Sequence, residues 1–156
     1  MSAIAVIRIR GHMRLRATIE NSMRHLSLTR ANHCVVVPDT PEVLGMVQHA
    51  KDYITWGRVT VEDVEALIKA RGRLVGDKPI TDEEVAKHTD YKTIKDVAAA
   101  VHEGKVRWSH LEAFKPIFRL SPPRKGFKGG TKRSFAAHGT LGNRGKAMPE
   151  LLQRMI

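Results

Sequence analysis

The chain has 156 residues, 42% of them hydrophobic but only 5% aromatic, and 27 Lys and Arg against 16 Asp and Glu give a net charge of +11. That length suits one domain, or one small domain with an elaboration, whose core must rest on Val, Ile, Leu, Ala and Met. No apolar run approaches the roughly 20 residues needed to span a bilayer, and no signal-peptide pattern precedes Arg8. The lone cysteine, Cys34, rules out an internal disulfide framework, so a reducing, cytoplasmic location is expected.

Residues 4–10 alternate. Ala5, Ile7 and Ile9 point one way and Val6, Arg8 and Arg10 the other, which predicts a strand with one apolar and one basic face. Leu15, Ile19, Met23 and Leu26 then form one stripe of a helix. Asn32 turns the chain into a second strand at 33–37, where Cys34 would be a buried thiol. Thr40-Pro41 offers an N-cap with proline in the first turn, and Val43, Met46, Val47 and Ala50 continue as a helical face. The β-branched and aromatic stretch 53–59 predicts a third strand. The order βαβαβ makes residues 1–59 an α+β unit, a sheet with its helices on one face. Arg8 and Arg10 would then stand on the open face.

The period changes after residue 60. Thr60…Asp63, Thr81…Glu84 and Ser109…Glu112 have capping-box spacing. Val61, Val64, Leu67 and Ile68 make one helical stripe, and Ile94, Val97, Ala98 and Val101 another. Residues 60–114 are expected to be a helical insertion with loops at 72–79 and 89–93. Residues 115–120 predict a further strand able to join the sheet, stopped by Pro122-Pro123. Residues 124–146, rich in Gly, Lys and Arg, have too few apolar side chains to fold alone. Leu151, Leu152 and Met155 give residues 148–156 the apolar side of a short closing helix.

Charge follows this division. Residues 1–59 hold 8 basic and 4 acidic side chains, residues 60–114 hold 9 and 11, and residues 115–156 hold 10 and 1. The excess therefore sits at the two ends, +4 and +9, around a middle of −2. With a pI near 10.2, that is the footprint of a nucleic-acid binder. A merely solubilising surface would not need the partition.

Two constellations carry the expectation. In the first, Arg8, Arg10, Gly11, His12, Arg14 and Arg16 surround the start of the first helix, where the macrodipole disfavours cations and a phosphate backbone would suit them. The second is the tail. Arg124, Lys125, Lys128, Lys132 and Arg133 alternate with glycines, and Phe127 and Phe135 could stack on unpaired bases. Arg144 and Lys146 extend it, and Arg30 and His33 are secondary candidates. The plain alternatives are solvated arginines and a disordered tail. Trp56 fits a base-stacking role or a core role equally.

Catalysis finds no foothold. The stretch 139–146 resembles a phosphate loop, but five residues separate Gly139 from Gly145 where four are needed, and Ala147 replaces the Mg²⁺-binding hydroxyl. The eight histidines show no chelating spacing, so neither a metal nor another cofactor is expected. No nucleophile motif or acid–base pair is present.

The opening Val6-Ile7-Arg8-Ile9-Arg10-Gly11 resembles the L-thirty family of large-subunit ribosomal proteins, called L-seven in eukaryotes. The pattern continues through Met23, Leu26, Leu28, Arg30, His33 and Val35, then Asp39-Thr40-Pro41, then Met46, Val47, Ala50, Tyr53 and Ile54. Tyr53-Ile54-Thr55-Trp56-Gly57, the course from Phe118 through Pro122-Pro123 to Gly126, Gly142-Asn143-Arg144, and Leu151 to Met155 are similar to its archaeal and eukaryotic branch. Ser22 departs from the family's apolar or threonine preference. The absence of a long basic N-terminal extension favours the archaeal form.

The resemblance implies a ferredoxin-like core, a three-stranded antiparallel sheet with two helices on one face, and no catalysis. It implies binding to large-subunit rRNA near the 5S rRNA, as a monomer among neighbouring large-subunit proteins. The other reading is a free-standing RNA chaperone or regulatory RNA-binding module using the same chemistry. The net −2 of residues 60–114 suits a protein neighbour or solvent better than RNA.

Overall fold

A computed structural model describes residues 2–156. Three long strands carry the sheet: β1 (Ala3–Arg8), β2 (His33–Pro38) and β3 (Ile54–Arg58). β1 is central and antiparallel to both neighbours, with Val6 opposite Val35 on one side and Trp56 on the other. α1 (Ala17–His25) links β1 to β2, and α2 (Pro41–His49) carries the chain from β2 past β1 to β3. Thr40 caps α2, its Oγ1 accepting from the Val43 amide at 3.4 Å.

The sheet has five strands, in the order β4-β2-β1-β3-β5, where the resemblance implies three and the stretch 115–120 predicts one more. β4 (Phe118–Arg119) pairs antiparallel with β2 at Cys34 and His33. β5 (Gly142–Asn143) pairs parallel with β3 at Thr55 and Trp56. Both additions come from the second half of the chain, so the C-terminal segments hold the two edges of the sheet built by the first half.

Helices cover both faces, which corrects the expectation of an open basic face. Ile4 and Val6 pack against Met23, Leu26 and Leu28 and against Val47 of α2 and Ala50 just after it. Ala3, Ala5, Ile7 and Ile9 face the other way, into α3 (Val61–Arg71), α5 (Ile94–His102) and α6 (Met148–Met155). All six residues of β1 are buried, as a strand covered on both sides requires. Arg8 shares the α1–α2 face, and the strand ends there. The amides of Ile9 and Arg10 both donate to the Tyr53 carbonyl, at 2.9 and 3.2 Å, and turn the chain out of the ladder.

The second layer is held by caps and one aromatic cluster. Thr60 and Asp63 form a reciprocal capping box on α3, and Thr93 and Asp96 form another on α5. Thr81 caps α4 (Asp82–His88) in one direction, accepting from the Glu84 amide. The Ser109…Glu112 spacing starts no α-helix; a single 3-10 turn occupies Trp108–His110. There Trp108, 2% exposed, stacks on Phe118 at 5.4 Å and lies against Phe114 at 5.2 Å. Its Nε1 donates to the Lys115 carbonyl at 3.0 Å, so its one polar atom is satisfied.

α6 buries Met148, Leu151, Leu152 and Met155. Arg71 ties its far end, donating through Nη2 to Ser121 Oγ at 2.6 Å and to the Ile156 carbonyl at 2.8 Å. At its near end the backbone passes so close to β3 that a Cβ on Gly57 would lie 2.5 Å from the Gly145 carbonyl oxygen and 2.6 Å from Met148 Cβ.

Candidate nucleic-acid interface

The structure divides the predicted basic residues into those that face solvent and those that work inside the molecule. In the first region, β1 ends at Arg8 and the chain loops through residues 9–16 before α1. Arg10, Arg14 and Arg16 are exposed, as are His12 and Met13 between them, and Met13 is 79% exposed. Arg10 lies 5.1 Å over the Tyr53 ring and donates to the Asp52 carbonyl at 3.3 Å. Arg14 takes a left-handed backbone, φ 57°, uncommon for a residue with a side chain. Arg16 occupies the N-cap position of α1 and offers no side-chain cap. Local helix stability explains neither residue. Arg30, after α1, is also exposed.

Arg8 is different. It is 3% exposed, and its Nε donates to the Arg10 carbonyl at 2.9 Å and its Nη1 to the Leu28 carbonyl at 2.7 Å. It stitches the loop before α1 to the turn after it. Its Nη2 has no partner, the only such buried side-chain nitrogen or oxygen among the described residues. Leaving a buried charged donor unpaired costs at least about 1–3 kcal/mol. Burial lowers the Arg8 pKa, and the charge of Glu20 acts the other way.

His33 is buried rather than presented at the surface. Its Nδ1 lies 3.3 Å from Thr29 Oγ1, and burial, then the charges of Arg119, Arg30 and Arg8, hold it below the usual imidazole value. Trp56 is 6% exposed and belongs to the core between the sheet and α2.

In the tail, Arg124, Lys125, Lys132, Arg133 and Lys146 are exposed and have no ion-pair partner among the described residues. Other predicted contacts are spent internally. Phe127 packs against the main core instead of standing free for stacking. Lys128 pairs with Glu150 at 2.9 Å, and that bond holds the Glu150 carboxyl below its usual value. Arg144 is half-buried. It lies 4.7 Å over the Phe135 ring and donates to the Thr140 carbonyl at 3.1 Å and Thr55 Oγ1 at 3.5 Å. Arg154 donates to the carbonyls of Arg124 and Gly126 and closes the loop at its base. The tail is a laced loop with exposed cations at its tips.

Sequence reasoning does not single out Arg24, Arg58 or Arg119. Arg24 joins Arg8 and Arg30 in lining one cleft. Arg58, with 72% of its side chain exposed, ends β3 near Asp39 at 3.7 Å. Arg119 pairs with Asp77 at 3.3 Å. Strand alternation could have flagged Arg58 and Arg119. The stretch 139–146 forms β5 and a 3-10 turn beginning at Gly145. Among the described residues no three His, Cys, Asp or Glu gather as a metal site, and no helix is long and apolar enough to cross a membrane. Cys34 is fully buried, and its thiol is pushed far above the range in which a thiolate forms.

Residues 4–54 match the family described as Ribosomal protein L30p/L7e. Large ribosomal subunit protein uL30 of Methanopyrus kandleri is 46% identical over 149 residues, covering 95% of this chain and 100% of the relative. The proteins of that name from Methanosphaera stadtmanae and Staphylothermus marinus are each 44% identical, over 152 and 157 residues. Both matches cover 97% of this chain, and 99% and 97% of those relatives.

Proposed function

The chain belongs to the Ribosomal protein L30p/L7e family, and on that premise we propose that it is a non-catalytic structural constituent of the large ribosomal subunit that binds and stabilises its rRNA. Its place of work is then the cytoplasmic ribosome. One observation carries the contact assignment: Arg10, Arg14, Arg16 and Arg30 at one end, and Arg124, Lys125, Lys132, Arg133 and Lys146 at the other, are exposed without a carboxylate partner among the described residues.

Each cation that neutralises a phosphate releases condensed counterions, so affinity falls steeply with salt. The sheet and its two helical layers hold the loops rigid, and specificity comes from RNA shape and unpaired bases rather than from the deep groove of an A-form duplex.

The finer assignments rest on the resemblance. The three long strands with α1 and α2, residues 1–59, serve as the ferredoxin-like RNA-binding core. Residues 60–114, with net charge −2, face a neighbouring large-subunit protein or solvent. Residues 115–156 supply the edge strands and the RNA-binding tail. The binding site lies near the 5S rRNA, and the protein acts as a single copy.

Cosedimentation of the tagged protein with ribosomal subunits at low and high salt tests this. One copy retained per large subunit is the expected result. Release into the soluble fraction under both conditions would overturn it in favour of a free RNA chaperone or regulatory binding module.

A further inference from the structure

A cleft between the end of β1 and the two ends of α1 is lined by Arg8, His12, Glu20, Arg24, Thr29 and Arg30 among others. Three guanidinium groups, an imidazole and a hydroxyl thus converge from four segments of the chain. The one carboxylate, Glu20, lies 3.4 Å from Arg24. Arg8, 3% exposed, lines this cleft and its Nη2 has no acceptor, while its Nε donates to the Arg10 carbonyl and its Nη1 to the Leu28 carbonyl. Each buried unsatisfied donor in a native fold calls for an explanation. A polar cleft with a surplus of cations and an orphan donor lacks one thing, an anion.

We infer that this cleft is a seat for a single phosphate group, bridged by the Arg8 fork from within and by Arg24 and Arg30 from the rim, and that an rRNA phosphodiester fills it. The inference rests on the functional reading above and assigns it one specific locus. Guanidinium forks match phosphate oxygens in geometry as well as charge. The chain's excess of cations selects a polyanion as the source over an isolated carboxylate. His33, against the lining Thr29, is held low first by burial and then by the charges of Arg119, Arg30 and Arg8, and that second cause supports a positive local potential. Because Arg8 also binds the carbonyls of Arg10 and Leu28, a phosphate held there would fix the exposed loop at 10–16 against the turn after α1. Arg8 is thus both a ligand and a positioning residue.

The test uses the full-length chain and a large-subunit rRNA transcript, with filter binding over a range of salt. The variants are Arg30→Gln, Arg24→Gln and Arg8→Lys, and Lys87→Gln on α4 is the equal-charge control. Arg30→Gln and Arg24→Gln remove exposed side chains, so they keep the test valid if Arg8→Lys fails to fold. The expected result is about a tenfold loss for Arg30→Gln, a salt slope shallower by roughly one, and no change for the control.

A parallel titration follows the arginine side-chain nitrogens by NMR, with inorganic phosphate in one arm and the transcript in the other. Saturable movement of Arg8 Nε with the transcript is expected. Movement with inorganic phosphate alone and none with the transcript would overturn the RNA source. Tight binding of wild type and all variants, with Arg8 unmoved, would overturn the seat and leave the functional reading standing. A wild-type chain that does not bind the transcript would overturn both.

Discussion

The two basic regions have similar compositions and different structures. In the loop at 9–16, Arg10, Arg14 and Arg16 project from a short segment tied by Arg8 beneath it and by the contacts of Arg10 with Asp52 and Tyr53. In the tail at 121–147 side chains lace the segment to itself and pin it to its neighbours: Arg144 to Thr140 and Phe135, Phe127 to the main core, Lys128 to Glu150 of α6, and Arg154 of α6 to the Arg124 carbonyl. The first region presents nearly all its charge. The second uses part of its charge as structure, because it has few apolar side chains with which to fold. Counting cations in a sequence therefore overstates the charge available to a partner wherever the segment lacks a core of its own.

The largest effect should come from breaking the tail's seat on the sheet. Gly57→Ala would push a Cβ into the Gly145 carbonyl and Met148 Cβ. Overpacking against backbone predicts a loss of about 1–3 kcal/mol, read as a lower midpoint of denaturant unfolding. Arg144→Met comes next. It removes two hydrogen bonds of a half-buried cation, worth together about 1–2 kcal/mol. Amide exchange should quicken at Thr140 and Leu141, with the β1 amides unchanged.

Arg14→Gln with Arg16→Gln should do the reverse. Stability stays within about 0.5 kcal/mol, while the salt slope of rRNA binding drops by roughly 0.9 for each duplex phosphate that is no longer neutralised. If the tail variant weakened RNA binding without loosening the tail, or the loop pair destabilised the fold, the contrast between the regions would collapse.

The smallest effect concerns pH. His33 has its folded value below the ordinary 6.5, so the unfolded chain takes up the proton first as pH falls. Stability is therefore fully present above 6.5 and declines as pH drops through it. Unfolding midpoints at about pH 7.5 and 5.5 should differ less in His33→Gln than in the parent chain.

The helices and long strands are legible in the sequence because each carries its own period. Thr40-Pro41 marks the start of α2, and the stripe Val61, Val64, Leu67, Ile68 marks α3. β4 and β5 are two residues each, too short for any period, and their pairing depends on chain placed far away. The surroundings of Arg8 are misleading in the sequence for a physical reason. Its charge suggests a wet face, yet Ile4 and Val6 share that face and pack under α1 and α2. The uninterrupted apolar run from Ala3 to Ile7 is the better signal, since it marks a strand covered on both sides. In the site, the positions of the cations are legible, but which of them have partners is not. Lys128 and Glu150 are 22 residues apart, and Arg144 and Thr55 are 89 apart; only the fold makes them neighbours.

The placement of α6 sets an order of events during synthesis. β1 has one face closed by segments made within the first fifty residues, but its other face, lined first by α3 and α5, is completed only by Met148, Leu151, Leu152 and Met155. A chain emerging N-terminus first would keep part of the second face of its sheet open until those last turns appear. The tie from Arg71 to the Ile156 carbonyl spans 85 residues, and closing so long a loop is slow compared with forming the local helices. The nascent chain therefore passes through a stage at which its basic loop at 9–16 exists before its hydrophobic layer is sealed, and on the proposed function early capture by RNA and late closure of the core become separate steps of one maturation.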